Sequence, residues 1–246
     1  MMNENSPNPY AVSPGGSAAI YAEDSERLGF IRRTYAHLTG AILALIALEA
    51  VLFATVPANT METMVDKMLG GWGWLLVLGA FMAVSWVARS WATSGASRTV
   101  QYAGLGLYVV AEAVILLPLL YIAIRVDPMI PMTAALITAI TFVGLSVFVM
   151  TTRVDLAGWG KYLALAGLAG MGLIVASIVT GGFSIGILLS GFFVALACGY
   201  ILYDTSNVLH HYDTNQYVAA SLALFSSVVL LFWYVLRIVM MFASDD

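Results

Sequence analysis

The sequence predicts an all-α integral membrane protein, a bundle of seven transmembrane helices. Three observations carry that expectation. Hydrophobic residues make up 61% of the 246 and charged ones only 10%, whereas average globular proteins carry about 25% charged residues. Mean hydropathy is +0.91, so a water-soluble domain of this composition would expose a large apolar surface. The apolar residues also fall into runs that reach the roughly 20 residues a helix needs to cross a bilayer. Strands are excluded there, because open sheet edges cannot be satisfied in lipid.

Residues 1–26 are rich in Asn, Pro, Ser and Gly and lack apolar periodicity, the composition of a disordered tail. Residues 27–243 are expected to form the transmembrane domain. The first apolar run starts near residue 38, behind acidic residues and without a short basic leader, so it is expected to remain a span rather than a cleaved signal peptide. The predicted spans are 38–56, 71–91, 102–124, 129–150, 159–179, 185–203 and 218–242. Connections are short and several carry turn residues, at Asp127-Pro128, Asp155 to Gly158 and Gly181-Gly182, so most neighbours must pack antiparallel.

Basic residues orient the bundle. With the N-terminus inside, the cytoplasmic side receives Arg27, Arg32, Arg33, Arg89, Arg98, Arg153 and Lys161, and the other side only Lys67 and Arg125. The N-terminus is therefore expected in the cytoplasm and the C-terminus outside. Net charge is −4 with no basic patch, which argues against nucleic acid as a partner. The one cysteine, Cys198, permits neither an intrachain disulfide nor a cysteine-based metal site.

Small residues mark close helix contacts. The sixth span has Gly191, Ala195 and Gly199 at four-residue spacing; the fifth has Ala166/Gly170 and Gly172/Ala176. The seventh opens with Ala219, Ala220, Ser221 and Ala223, followed by Ser226 and Ser227. That half is too small and polar to face lipid all round, so it is expected to run through the bundle interior.

Five ionisable residues lie within or near the ends of spans: Glu49, Arg89, Glu112, Asp204 and Arg237. A charge at membrane depth costs several kcal/mol unless paired or hydrated, so such residues mark functional sites by default. Asp204 lies about six residues from the cytoplasmic hairpin, or roughly 9–10 Å along the axis. Arg89 closes the second span on the same side, and Ser226 and Ser227 lie within reach on the seventh. Asp204 and Arg89 can form a static ion pair that holds two helices in register. Alternatively they form a latch that protonation of Asp204 opens to water and cations, for which carboxylates are hard oxygen ligands, as calcium requires. Glu49 and Glu112 sit near mid-membrane on helices that run the same way. If they face one another, they cannot both remain charged. Pro118, six residues after Glu112, frees a backbone carbonyl one turn earlier. Arg237, near the outer end, can reach the headgroups.

No catalytic chemistry stands out. His210 and His211 are adjacent, so on a helix they point about 100° apart and make a poor metal pair. There is no G-x-S-x-G, H-E-x-x-H or Walker sequence, and no span carries a histidine to act as a base. The chain is expected to be no enzyme and to need no cofactor.

Three segments carry a resemblance: FIRRTYAHLTGA (30–41), TTRVDLAGWGKYL (151–163) and GYILYDTSNVLHHYDTNQYVAASLALFSSVVLLFWYVLRI (199–238). Over about residues 27–242 the chain resembles the Bax inhibitor-1 family, the transmembrane Bax-inhibitor-motif proteins, in its bacterial form. The resemblance implies a C-terminal helix enclosed by the other six and a calcium leak gated by pH across the bacterial inner membrane. It implies a latch made by an aspartate on the sixth span, a second on the seventh and an arginine on the second. Asp204, in Tyr203-Asp204-Thr205-Ser206, matches the first, and Arg89 the arginine. The place of the second falls at Ser226 or Ser227, so that carboxylate is absent. Other members are linked to restraint of cell death or to a membrane-bound protease. These links imply a different kind of function, a non-conducting regulator that binds other membrane proteins.

Overall fold

The computed structural model describes residues 18–70, 72–93, 97–179 and 186–244. The chain forms α1 (Asp24–Thr55), α2 (Ala58–Leu69), α3 (Gly73–Thr93), α4 (Arg98–Val126) and α5 (Ile130–Thr152). A single 3₁₀ turn (Ala157–Trp159) leads into α6 (Gly160–Val179), followed by α7 (Gly186–His210) and α8 (Tyr217–Ala243). Seven of these, all but α2, are long and apolar enough to cross a membrane. The chain is thus an all-α integral membrane bundle. Each predicted span corresponds to one long helix, although α1 starts 14 residues before the predicted residue 38 and α7 runs on to His210.

Helix α8 is the axis of the bundle. Every residue from Val218 to Phe225 is buried, as its small side chains predict. It packs against α1, α3, α4, α5 and α7. Helix α6 reaches it through a cluster of Leu163, Phe193, Leu196 and Tyr234, in which the Phe193 and Tyr234 rings stack 4.3 Å apart. A Cβ on Gly170 would stand 2.5 Å from the Phe193 ring, and one on Gly199 2.8 Å from Leu163, so these two glycines seat α6 on α7. Gly191 and Gly172 have nothing within 4 Å, so the small-residue stripes make contact only in part. Pro118 is accommodated inside an unbroken α4.

Two expectations need correction. Residues 18–26, expected in the tail, are structured, with α1 beginning at Asp24, and residues 1–17 lie outside the described residues. Ala19 is fully buried, its N–H donates to the Tyr212 carbonyl at 2.9 Å, and Ala18 bridges Asp213. A two-residue backbone pairing needs no apolar periodicity, which is why composition alone reads as disorder. The connection after the first span, meanwhile, contains α2, which buries Met61 and Val65, one turn apart, and exposes Asn59, Glu62, Asp66 and Lys67. Glu62 there pairs with Arg125 at 3.3 Å. Gly181-Gly182 lies outside the described residues.

Candidate functional site

The motif around Asp204 sends successive side chains in different directions, about 100° apart on a helix. Ser206 faces the α5–α6 loop: its hydroxyl donates to the Val154 carbonyl at 3.0 Å and accepts from the Leu156 N–H at 2.8 Å. Thr205 is fully buried and lies by the Tyr35 hydroxyl of α1, beside Ser146 of α5. Asp204 turns the other way, into a cavity of about 540 Å³ bounded by α3, α4, α6, α7 and α8.

That cavity brings together Asp204, Arg89, Glu112, Ser226 and Ser227, and also Arg237. Asp204 is only 8% exposed, and Ser227 donates to its Oδ2 at 2.5 Å. Arg89 donates from Nη2 to Ser226 Oγ at 2.9 Å, and its guanidinium carbon lies 5.5 Å from the centre of the Tyr108 ring. The two adjacent serines of α8 thus divide the expected pair between them. Asp204 and Arg89 stand in each other's electrostatic field, but the ion pairs among the described residues are Arg125–Glu62 and His211–Asp155, so the direct salt bridge does not form. Where one carboxylate on α8 would meet both an acid and a base, two neutral hydroxyls meet one each.

Glu112 and Glu49 do not face one another. Glu112, 6% exposed, has Tyr108 one turn before it and Arg89 across the cavity. Glu49 lies outside the cavity, in the buried stripe of α1 that also carries Leu38, Ala41 and Leu45, and neither of its carboxylate oxygens has a hydrogen-bond partner among the described residues. Helix α4 is buried on several faces, so no apolar stripe in the sequence indicates which way Glu112 points. One cavity residue, Tyr108, escaped the sequence argument, and another, Arg237, was expected at the headgroups. Arg237 lines the cavity beneath the Tyr234 ring, at 6.0 Å, rather than only snorkelling. Tyr108 is almost fully buried. The i, i+4 spacing of Tyr108 and Glu112 is the one sequence signal that links them.

The α7–α8 hairpin closes over Asp204. Burial, and after it the Asp204 charge, pushes the Tyr212 hydroxyl up to about 12, so it stays a neutral donor. The hairpin is clasped from outside by His211, whose Nε2 lies 3.0 Å from Asp155 Oδ1. The Ala157 N–H donates to the same oxygen at 3.0 Å, and this bond, with His211 second, holds the Asp155 carboxyl below the ordinary aspartate range. A carboxylate with a depressed value contributes stability that is present above its unfolded value and is lost as pH falls through the folded one. The Asp155 side of the clasp therefore stays intact in mildly acidic solution and is lost only below about pH 4. Asp155→Asn is expected to lower the melting temperature slightly at pH 6 and by less at pH 3, read by circular dichroism; equal shifts at both values would contradict the assignment.

Residues 27–244 match the family described as "Inhibitor of apoptosis-promoting Bax1". The chain is 28% identical to "Bax inhibitor 1" of Schizosaccharomyces pombe over 90% of its own length and 80% of that protein. It is 33% identical to "Modulator of FtsH protease YccA" of Escherichia coli K12 over 44% of its own length and 49% of that protein. A "Golgi anti-apoptotic protein" of vaccinia virus strain Lister is 28% identical over 46% of this chain and 47% of its own. These names describe inhibitors and modulators, not enzymes.

Proposed function

The chain belongs to the Bax inhibitor family of membrane proteins, and from that premise we propose that it is a pH-sensitive leak pathway for calcium and related cations, gated by Asp204. The observation that carries this reading is the one cavity in which Asp204, Glu112 and Arg89 meet inside the bundle. The carboxyl oxygens of the cavity, from one acid on α7 and one on α4, are hard ligands for a divalent cation, too few for a storage site and suited to passage. The groups that face Asp204 are Ser227 from α8, Arg89 from α3, Tyr212 from the hairpin and Tyr200 from its own helix. While Asp204 is charged it attracts Arg89 and accepts from Ser227, which draws α3 and α7 onto α8 at the inner end. Protonation removes the attraction, frees that end and admits water and cations, so flux rises as pH falls. In this reading the protein lies in the inner membrane with its N-terminus in the cytoplasm.

The test is calcium flux into proteoliposomes at intervals from about pH 5 to 8. Wild-type flux is expected to rise with acidity, and Asp204→Asn, which mimics the protonated acid, to give a high flux that pH no longer changes. Flux that responds to pH in the variant as in the wild type would remove Asp204 from the gate. An absence of flux from folded protein would favour the second reading, modulation of a membrane-bound protease, which the likeness to the FtsH modulator supports. That reading is tested by whether the chain slows degradation of a membrane substrate by such a protease in the same vesicles.

A further inference from the structure

A second cavity, about 580 Å³ in volume, opens between α1 and α4 and shares no lining residue with the first. Its α1 wall is Ala36, Gly40 and Ala44, one face at four-residue spacing, and Gly106 stands opposite on α4. A Cβ at Gly40 or at Gly106 would meet nothing within 4 Å, so the glycines hold open a space that no protein atom fills. From His37 to Leu48 the groove runs 11 residues of α1, about 16 Å of helix. That is close to the hydrocarbon depth of one leaflet, half of roughly 30 Å.

The groove has a polar end and a greasy one. At its mouth His37 Nε2 lies 2.9 Å from the Tyr102 hydroxyl. One turn further out on each helix stands an arginine, Arg33 on α1 and Arg98 on α4. Both guanidinium groups gather on one aromatic ring, that of Tyr217, at 5.8 and 4.7 Å from its centre. Arg98 is further fixed by donating to the Asn215 carbonyl at 2.6 Å. Among the described residues no carboxylate pairs with either arginine. Two oriented guanidinium groups without a counter-ion call for an anion at headgroup depth, and the apolar slot beneath them calls for a hydrocarbon chain. One molecule supplies both.

We propose that the α1–α4 groove binds an anionic phospholipid, its phosphate on Arg33 and Arg98 and one acyl chain along Gly40, Ala44 and Gly106. Basic pockets between transmembrane helices recognise acidic headgroups in this way. The lipid would join α1 to α4, the helix that carries Glu112, by a route separate from the charged cavity, so the proposal stands whether or not the chain conducts.

The test is native mass spectrometry of the full chain in detergent, titrated with dioleoyl phosphatidylglycerol, with dioleoyl phosphatidylcholine, or with inorganic phosphate as competitor. Wild-type protein is expected to retain phosphatidylglycerol about tenfold or more over phosphatidylcholine, as two basic contacts predict. Arg33→Gln/Arg98→Gln should reduce retention to the phosphatidylcholine level. Gly40→Leu/Gly106→Leu fills the slot without touching the charges and should abolish retention of both lipids. The leucines enter open space, so this variant keeps the test decisive should loss of Arg98 unfold the hairpin. Equal retention of the two lipids by the wild type, or retention undiminished in the filled variant, overturns the proposal. Displacement of phosphatidylglycerol by millimolar phosphate would reduce the site to an anion contact and equally overturn it.

Discussion

Gly104→Leu is expected to cost the protein more stability than replacement of Gly106, the other glycine of α4, by leucine, and to pull Arg89 from Ser226 in whatever fraction still folds. A Cβ at position 104 would stand 2.6 Å from the Ala88 carbonyl oxygen and 2.8 Å from the Ala92 nitrogen. Both are backbone atoms of α3, so no side chain can swing aside and the two helices must part. Forcing even a few extra atoms into a closed contact costs about 1–3 kcal/mol, and a leucine adds three more carbons than alanine. The wedge also falls on either side of Arg89, the residue that follows Ala88, so the guanidinium moves away from Ser226 and from the field of Asp204.

The measurement is the melting temperature of purified protein in detergent, with Gly144→Ala as the comparison. Gly144 meets nothing within 4 Å and lies inside α5, where alanine is favoured over glycine by up to about 1 kcal/mol. Gly104→Leu should melt well below the wild type, and Gly144→Ala at or above it. A Gly104→Leu protein that melts with the wild type would show that α3 and α4 do not approach as closely as described here.

The spans are legible in the sequence because the bilayer imposes a length and a composition on each. The amphipathic α2 is not, since a 12-residue helix with only Met61 and Val65 buried reads as a polar connection. Within the site, the depth of Asp204 follows from counting residues back from the hairpin. Its partner does not. Whether Arg89 takes Asp204 or Ser226 is decided by side-chain rotamers and by a serine pair on another helix. Glu49 and Glu112 have the same depth and the same chemistry, and what separates them is rotation about the helix axis. The 61% burial of α4's most apolar window means that its neighbours, not its own pattern, set that rotation. The pairing of Ala19 with Tyr212 is equally invisible, because it joins backbone atoms far apart in the chain and leaves no mark on side-chain choice.

Glu112→Gln is expected to lower calcium flux about tenfold when added to Asp204→Asn and read at about pH 9, where the first substitution holds the gate open and position 112 can carry its charge, and to change little at about pH 5. From Arg98, at the start of α4, to Glu112 is 14 residues, about 21 Å along the axis, so Glu112 lies deeper in the bundle than Asp204. Around it the cavity wall is largely apolar, with Leu78, Phe81, Ile115 and Leu230. In the proposed pathway a cation that has passed Asp204 meets no carboxyl group but Glu112 among the residues lining the cavity, which Arg237 also lines. At an effective dielectric near 20 a unit charge at about 4 Å stabilises the ion by up to about 4 kcal/mol. Retaining a third of that after hydration gives roughly 1.4 kcal/mol, or about tenfold in rate. Glutamine keeps the size and the hydrogen bonding to Tyr108 but not the charge, so the bundle should fold as before. In the proposed pathway Glu112 would then be the second acid, on α4 and deeper, where the family resemblance leads one to look on α8. Flux from the double variant equal to that of Asp204→Asn at about pH 9 would leave Asp204 as gate and pathway alike, and the deep half of the cavity without a role in conduction.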